Sequence, residues 1–280
     1  MKKLVSLLLA LAMALSMVAC GGKEVTTAKI IDVALTTEEY AFGVDKAQPE
    51  LLQQTNAFIK KIMEDGTFEE ICEKYFGEGT PEGVTSAKRD DSKDQLVVAT
   101  NAEFAPFEYM DGDTFYGVDM EIAKLLAEEL GKELVIEHMD FDAVCLQVGQ
   151  HKCDIAMAGL TVNEKRKESV EFTDSYWNAQ QKLIVTSDNT EFDDCKTAAD
   201  VEAILNAKDD SCKVGFQSGT TAQYYCKGDT DWGFAGFPVE PIGYTNGSLA
   251  VQDMLNGNID YVIIDAAPAE RITAAINEMQ

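Results

Sequence analysis

Residues 154–166 read DIAMAGLTVNEKR, and this stretch decides the fold class. Its apolar first half predicts a buried strand over Asp154–Ala158, which ends in small residues that let a ligand reach the backbone. Arg166 follows on the first turn of the next helix. Open α/β sheets bind ligands where a strand ends and a helix begins, so the stretch predicts an α/β fold with a site at this edge.

The alternation of strands and helices continues on both sides of this stretch. Before it, Leu96–Thr100 and Glu133–Glu137 predict strands, separated by a helix that Gly131 ends. After it, the patterns predict strands at Lys182–Thr186, Lys213–Phe216 and Tyr261–Ile264, and helices at Thr220–Cys226, from a Ser248 cap to Leu255, and at Ala267–Met279. Such alternation is typical of α/β layers with a largely parallel sheet.

Residues 29–77 form a separate block of predicted elements. Lys29–Leu35 and Tyr40–Val44 predict strands, and Pro49 opens a helix with one apolar face. A shorter helix follows at Thr67–Tyr75. Residues 78–93 are rich in Gly, Pro, Ser and charge, so we expect a flexible linker there.

The charge balance excludes several classes of partner. The 280 residues carry 23 Lys and Arg against 49 Asp and Glu, a formal net charge of −26. A face that binds nucleic acid needs basic side chains to neutralise phosphates, and adsorption to anionic lipid needs them too. The negative charge therefore argues against nucleic-acid binding. Hydrophobic residues make up 46% of the chain, as in an ordinary folded protein, so we do not expect disorder.

The first residues, MKKLVSLLLALAMALSMVAC, predict a targeting segment. Two lysines precede an apolar run that is too short to span a bilayer comfortably, so residues 1–19 are interpreted as a signal peptide. The end of the run resembles a bacterial lipobox, which makes Cys20 the expected lipid carrier at the start of a tether over residues 20–28. We therefore expect an extracytoplasmic protein anchored to the membrane by this lipid, with ordinary secretion as the alternative.

Motifs for a metal, a cofactor or covalent catalysis are scarce. Besides Cys20 the chain has six cysteines and 2 histidines but no C-x-x-C pair, so we expect no zinc site. The six cysteines are either paired in disulfides or free, and their spacing does not choose between these states. The chain has neither a dinucleotide nor a P-loop fingerprint, so we expect no cofactor. Ser218 in GFQSG stands one place away from a nucleophile elbow, which argues against a serine hydrolase.

Two further segments place polar groups at predicted strand ends. In QSGTT, Gly219 frees the backbone, and Thr220 and Thr221 begin a helix whose N–H groups suit an anion. Asp265 ends an apolar strand and suits an ammonium group. Together with Arg166, which can grip a carboxylate with two parallel hydrogen bonds, they supply the contacts for a zwitterionic α-amino acid. Taken singly, the segments are also compatible with a surface arginine and ordinary helix caps.

Five motifs in order resemble the extracytoplasmic amino-acid-binding proteins of ABC importers, the bacterial solute-binding proteins of family 3. They are NAEFAPFEY, YGVDMEIAKLLAEELG, MAGLTVNEKRKESVEFTDSYW, VGFQSGTTA and NGNIDYVIIDAAPA. The resemblance implies a two-lobed, type II periplasmic-binding-protein-like fold, with a two-strand hinge beside a ligand cleft. It also implies a monomer that captures an L-amino acid and delivers it to an importer permease, without catalysis.

The resemblance assigns roles to the residues that match the family's motifs. It implies that Phe104 and Phe141 sandwich the ligand side chain. It gives the α-carboxylate to Arg166, with help from the backbone at Thr161 and Thr221.

The resemblance also implies how the other groups of the ligand are held. Asp265, the backbone at Gly159 and the Thr161 hydroxyl are expected to bind the α-amino group. Asn101 lies where side-chain specificity is often set, and its neutral amide slightly disfavours a cationic ligand. Ala158 and Gly159 replace two serines of well-known members, so the identity of the amino acid stays open.

The block of residues 29–77 is out of order for the family, whose members usually end with such a segment. Its place at the start predicts a circular permutation. The expected lobes are residues 40–77 plus 94–181 and residues 29–36 plus 184–280, with residues 78–93 joining the family's usual termini. An enzyme on the same scaffold, similar to the cyclohexadienyl dehydratases and using Glu103 as a cleft carboxylate, is the main alternative, and a sensor domain is the third.

Overall fold

The computed structural model describes residues 26–279, so the expected signal peptide and Cys20 lie outside the described residues. The strands are β1 (Ala28–Ile31), β2 (Glu38–Tyr40), β3 (Gly43–Asp45), β4 (Gln95–Thr100), β5 (Glu103–Phe104), β6 (Glu108–Asp111), β7 (Thr114–Tyr116), β8 (Glu133–His138), β9 (Ile155–Ala156), β10 (Val170–Phe172), β11 (Trp177–Ala179), β12 (Gln181–Thr186), β13 (Lys213–Gln217), β14 (Glu240–Tyr244) and β15 (Tyr261–Asp265). The helices are α1 (Pro49–Glu64), α2 (Thr67–Phe76), α3 (Val118–Leu130), α4 (Phe141–Gly149), α5 (Glu164–Lys167), α6 (Ala198–Asn206), α7 (Thr221–Lys227), α8 (Gly247–Leu255) and α9 (Ala266–Glu278).

Two five-stranded sheets form the centres of two lobes. The sheet of the first lobe has the order β10-β3-β9-β4-β8, and that of the second lobe has the order β1-β12-β15-β13-β14. In the first lobe β4 runs parallel to β8 and β9, and in the second β13 runs parallel to β14 and β15. The remaining pairs in both sheets are antiparallel. The mixed α/β fold and its two lobes confirm the fold class expected from the alternating sequence pattern.

The two chain segments that connect the lobes pair with each other as a two-stranded sheet. Here β2 pairs antiparallel with β11, with Tyr40 opposite Trp177. β1 belongs to the second sheet and β3 to the first, so the chain passes from one lobe to the other through β2. It returns through β11, because β10 lies in the first sheet and β12 in the second.

The last helix and the first strand meet on the second lobe. The Ala28 N–H donates to Asn277 Oδ1 at 2.9 Å, and Asn277 Nδ2 donates to the Ala28 carbonyl at 2.9 Å. These paired bonds place the beginning of β1 against the end of α9.

Residues 78–93 differ from the flexible linker that their composition predicts. Val84 is buried and exchanges two backbone hydrogen bonds with Phe115, at 2.7 and 2.9 Å. The Ala87 N–H donates to the Leu134 carbonyl at 2.9 Å. The segment has little secondary structure, but these pairings attach it to the first lobe. Local composition cannot show them because both partners are distant in sequence.

Three smaller expectations also need correction. The predicted strand Tyr40–Val44 is divided between β2 and β3, because the chain changes sheet at this point. Helix α8 is capped by Asn246, whose Oδ1 accepts from the Leu249 N–H at 3.0 Å, and not by Ser248. The second sheet already includes Gln181, so its lobe begins before residue 184.

Candidate ligand-binding site

The loop after β9 brings the backbone close to an aromatic ring. Gly159 has a φ of +53°, and a Cβ added there would stand 3.1 Å from Phe104 and 3.3 Å from Tyr40. The glycine is therefore required both by its backbone angle and by the buried ring of Phe104. The neighbouring Ala158, also an expected site residue, is fully buried in the apolar core of the first lobe.

Arg166 lies in α5 and reaches the second lobe. Its backbone N–H is bound by the cap residue Asn163 at 2.8 Å. Its guanidinium donates to the Thr161 carbonyl at 2.8 Å and to the Gly219 carbonyl at 3.1 Å. These contacts exclude the alternative of an unattached surface arginine.

Two aromatic rings enclose the Arg166 guanidinium. Its central carbon lies 5.1 Å from the centroid of Phe141 and 5.4 Å from that of Trp232. A guanidinium stacks well on aromatic faces, and both contacts fix its position. Phe141 is one of the expected site residues, whereas no sequence pattern pointed to Trp232.

The start of α7 contributes two threonines from the second lobe. Thr220 has the cap position, but its hydroxyl donates to the Gln217 carbonyl at 2.8 Å and makes no cap hydrogen bond. The Thr221 hydroxyl oxygen lies 3.2 Å from that of Thr161, which belongs to the first lobe. The expected threonines of the two lobes therefore meet directly.

Asp265 is buried at the end of β15 and is 5% exposed. It precedes α9 but makes no side-chain cap bond, which excludes the helix-cap alternative. Its Oδ1 accepts a short hydrogen bond from the Tyr40 hydroxyl. Burial first, and the charge of Glu38 second, raise the pKa of Asp265 to about 7.

Glu38 is a carboxylate of this site that the sequence reasoning missed. It is 6% exposed and accepts hydrogen bonds from Thr161 and Thr221 at 2.7 and 2.6 Å. Thr36 and Gln181 donate to its other oxygen at 2.6 and 2.9 Å. The letters EEY do not mark Glu38 as buried, and the burial of the first and third residues of β2 is seen only in the structure.

Asn101 meets an amide from the other lobe. Gln217 Nε2 donates to Asn101 Oδ1 at 2.9 Å, and Asn101 Nδ2 donates to the Met139 carbonyl at 2.8 Å. Both side chains are buried, and Gln217 Oε1 has no partner among the described residues. Glu103 is different: it is exposed and accepts from Asn246 at 3.1 Å.

A group of acids is buried next to these residues. Asp119 accepts from the Gly159 N–H at 3.0 Å and from the Tyr176 hydroxyl at 2.7 Å. Burial raises the pKa of Asp119 to about 7, against the lowering effect of these bonds. Burial also raises the pKa of Glu108 well above its usual range, and the charges of Asp119 and Asp265 add to this.

Asp265 also faces a cavity of ≈ 200 Å³ between the lobes. Tyr40, Phe107 and Trp177 form an aromatic wall, and Glu270 is a second carboxylate at the cavity. The space beside the Asp265 carboxylate is thus bounded by apolar rings and by negative charge.

Three further features concern metal ligands, cysteines and membrane-spanning helices. Within residues 26–279 there is no group of three or more potential metal ligands. The six cysteines of this range are free thiols, and burial raises the pKa of Cys226 to about 12. None of the helices over this range is long and apolar enough to cross a membrane.

Contacts between the lobes join several of the expected residues to the opposite lobe: Arg166 to Gly219, Thr161 to Thr221, and Asn101 to Gln217. Asn101, Phe104, Gly159, Thr161 and Arg166 come from the first lobe, with Phe141. Thr220, Thr221 and Asp265 come from the second lobe. The Arg166 guanidinium binds the Thr161 carbonyl, and Glu38, which binds the facing hydroxyls of Thr161 and Thr221, acts by its charge on the buried Asp265.

Comparisons with known proteins agree on one family. The model of the bacterial extracellular solute-binding proteins, family 3, matches residues 96–262. The arginine-binding extracellular protein ArtP of Bacillus subtilis is 32% identical over 107 residues, which are 38% of this chain and 42% of ArtP. This chain thus spans less than half of that relative.

Solved structures give the same relationship. An ancestral arginine-binding protein bound to arginine aligns with a TM-score of 0.55 and 32% identity, over 65% of this chain and 75% of that one. The ancestral amino acid-binding protein AncCDT-1, a precursor of cyclohexadienyl dehydratase, aligns with a TM-score of 0.52 and 28% identity, over 66% and 74% of the two chains.

Proposed function

We propose, from the premise that the chain belongs to the bacterial extracellular solute-binding proteins of family 3, that it captures an L-amino acid between its lobes and delivers it to an ABC-type importer. One observation carries the proposal. Arg166 of the first lobe binds the Gly219 carbonyl of the second, and the buried Asp265 of the second lobe is influenced by the charge of Glu38, which binds the facing hydroxyls of Thr161 and Thr221. A zwitterion needs this combination of a cation for its carboxylate and an anion for its ammonium group.

The carboxylate of the ligand would bind to Arg166. Its guanidinium has five N–H groups, of which the Thr161 and Gly219 carbonyls each accept from one nitrogen. The backbone N–H groups of Thr161 and Thr221 are the additional donors. Tyr40 and Thr161 face each other in a pairing whose hydrogen bonds are made by Ala41 and Val162, so the Thr161 N–H has no backbone acceptor within residues 26–279.

The ammonium group of the ligand would bind to Asp265, the Gly159 carbonyl and the Thr161 hydroxyl. Asp265 must be ionised for this role, and a bound ammonium favours the ionised form by its charge. Phe104 and Phe141 form the walls for the ligand side chain. The pair Asn101 and Gln217 closes this region with neutral amides.

The anchor and the chain order belong to the same proposal. A lipid on Cys20 would hold the protein at the outer face of the cell membrane as a monomer. Circular permutation is supported by β1 and β3, which occupy different lobes although both precede the segment that matches the family model. It is also supported by the contact between Ala28 and Asn277.

A thermal-shift screen of the twenty L-amino acids, followed by calorimetry, tests the proposed function. A ligand at 100 times its Kd that binds only the folded protein adds about 2.7 kcal/mol to the free energy of unfolding. We expect one amino acid, or a few of similar shape, to raise the melting temperature. If none does so, the proposal is wrong. Turnover of prephenate or arogenate by the same preparation would establish the dehydratase alternative instead.

Mass spectrometry of the mature N-terminus tests the anchor. A diacylglyceryl group on Cys20 is expected, and Cys20→Ser should release the protein into the medium. An unmodified Cys20 would make this a freely secreted protein.

A further inference from the structure

We propose that Glu38 is a positioning residue of the amino-group site. Its carboxylate accepts hydrogen bonds from the hydroxyls of Thr161 and Thr221, so that the Thr161 oxygen is free to accept a hydrogen bond from a ligand ammonium. The inference rests on the proposed function and adds to it a residue that no binding motif predicts. Glu38 acts through Thr161 and need not touch the ligand.

Hydrogen-bond direction follows from the chemistry of the groups. An ionised carboxylate can only accept, whereas a threonine hydroxyl has one proton to donate and two lone pairs that accept. Thr161 Oγ1 lies 2.7 Å and Thr221 Oγ1 2.6 Å from the same Glu38 oxygen. Both hydroxyl protons are therefore directed to Glu38, and none remains between the two threonines, whose oxygens are 3.2 Å apart.

Glu38 is itself held in place from several directions. Thr36 and Gln181 donate to its second oxygen at 2.6 and 2.9 Å. Together with the two site threonines they provide four donors, which fill the acceptor positions of a carboxylate. A carboxylate fixed in this way cannot turn to offer another geometry to Thr161.

The same arrangement links ligand recognition to closure of the lobes. Glu38 lies on β2, the strand between the lobes, while Thr161 comes from the first lobe and Thr221 from the second. The two hydroxyls share one carboxylate oxygen only when the lobes are together. The acceptor for the ammonium is thus completed by closure.

Charge supports an ammonium next to this group. Glu38 is buried, and no Lys, Arg or His within residues 26–279 forms a salt bridge with it. The charge of Glu38 acts on Asp265 and Tyr40, neither of which carries a positive charge, and the Arg166 guanidinium is bound instead to the Thr161 and Gly219 carbonyls. A buried carboxylate without a cation is unfavourable, and a ligand ammonium nearby would reduce that cost.

A comparison of amino acids with their des-amino analogues tests the inference. Each amino acid that raises the melting temperature in the twenty-member screen is paired with the carboxylic acid that lacks its α-amino group, as 5-guanidinovaleric acid pairs with arginine. Calorimetry gives the Kd of the des-amino acid divided by the Kd of the amino acid, which measures how much the α-amino group contributes to binding. This ratio is determined for the wild type, Glu38→Gln and the control Glu39→Gln. Glu39 is the exposed neighbour on the same strand.

We expect Glu38→Gln to reduce this ratio roughly ten- to 100-fold, the effect of one hydrogen bond to a charged group. Where the glutamine amide nitrogen faces the threonines, it donates to their oxygens, and a threonine proton is displaced toward the ligand. Binding of the des-amino acid should change little. Glu39→Gln should keep the wild-type ratio.

Thr161→Val provides a second route if Glu38→Gln does not fold, as judged by circular dichroism. This variant keeps the shape of the side chain and removes the proposed acceptor, so it should reduce the same ratio. In the Glu38→Gln background it should add little further loss.

If Glu38→Gln leaves the ratio unchanged, for example by weakening the binding of the amino acid and of its des-amino analogue equally, the inference is overturned and the proposed function remains intact. For a Glu38→Gln chain that does not fold, an unchanged ratio in Thr161→Val would overturn it. A wild-type chain that binds none of the amino acids would overturn the proposed function, and the inference with it.

Discussion

The two charged ends of the cleft differ in burial, although both are proposed to hold a charge. Arg166 is partly exposed and lies between two aromatic rings, whereas Asp265 is 5% exposed. A guanidinium remains protonated at any pH at which proteins fold. A buried carboxyl group does not keep its charge so easily, and the pKa of Asp265 is raised to about 7. The acidic end should therefore make binding dependent on pH, while the basic end should not.

Removal of the basic end should have the largest effect. Arg166→Ala leaves the ligand carboxylate without its counter-charge, which costs on the order of 3–5 kcal/mol, or more than about 100-fold in Kd. Isothermal titration calorimetry with the amino acid from the screen measures the change. Lys167→Ala is the matched control, because Lys167 is the exposed neighbour of Arg166 on α5 and pairs with Glu164 at 2.7 Å, so this variant should bind normally. A loss below threefold in Arg166→Ala would remove this residue from the site.

Removal of the acidic end should weaken binding by a similar factor above pH 7 and by less below it. Asp265→Asn eliminates the counter-charge of the ammonium, but the wild type also loses that charge when its carboxyl group is protonated. The two proteins should thus differ strongly at pH 8 and much less at pH 5. Asp210→Asn, an exposed carboxylate of the same lobe, should match the wild type at both values. A difference that stays constant with pH would contradict the assignment.

Proton release should distinguish the two ends directly. Burial raises the pKa of Asp265 to about 7, so in this lobe arrangement the carboxyl group is largely protonated below that pH. A ligand ammonium binds the ionised form, which means that binding near pH 6 must release a proton. Affinity should fall as the pH falls, by at most tenfold per pH unit. Calorimetry in buffers of different ionisation enthalpy measures the released proton.

The Arg166 and Asp265 variants should differ in this experiment. Arg166→Ala should retain proton release wherever binding remains measurable, and Asp265→Asn should lose it. Equal proton release in Asp265→Asn and the wild type would show that the released proton comes from another group, such as Asp119.

The smallest expected effect concerns the ring that covers the basic end. Trp232→Ala removes one of the two faces that hold the Arg166 guanidinium, a contact worth about 0.5–1 kcal/mol at a partly exposed position. We expect a two- to fivefold rise in Kd, with no change in its pH dependence. Trp232→Phe keeps an aromatic face and should recover most of the affinity. Equal affinities for the wild type and Trp232→Ala would show that Phe141 alone is sufficient.

The sequence predicted those site residues that can be recognised from the few residues around them. The small residues before Arg166, the turn at Gly219 and the carboxylate after an apolar strand at Asp265 all lie where a strand meets a helix. Each was identifiable because strand and helix periods can be read from neighbouring residues. The structure excludes the cap role for Asp265 and the surface role for Arg166, whose guanidinium contacts the second lobe.

The residues that the sequence did not reveal depend on contacts between distant segments. Gln217 belongs to a quoted motif, but its side-chain partner Asn101 lies on the other lobe. Trp232 follows no periodic pattern, and its place is set by packing on Arg166 and by stacking on Tyr224. The segment of residues 78–93 has a linker composition, yet its backbone pairs with Phe115 and Leu134.

By itself, then, the sequence determined the α/β alternation and the polar strand ends, because these follow from local periodicity and residue chemistry. Only the tertiary structure decided that Glu38 faces inward beside Thr161 and Thr221. Pairing of β2 with β11 sets which side chains of the connecting strand are buried, and closure of the lobes sets what they meet. Both are contacts over more than a hundred residues of chain, and no local pattern encodes them.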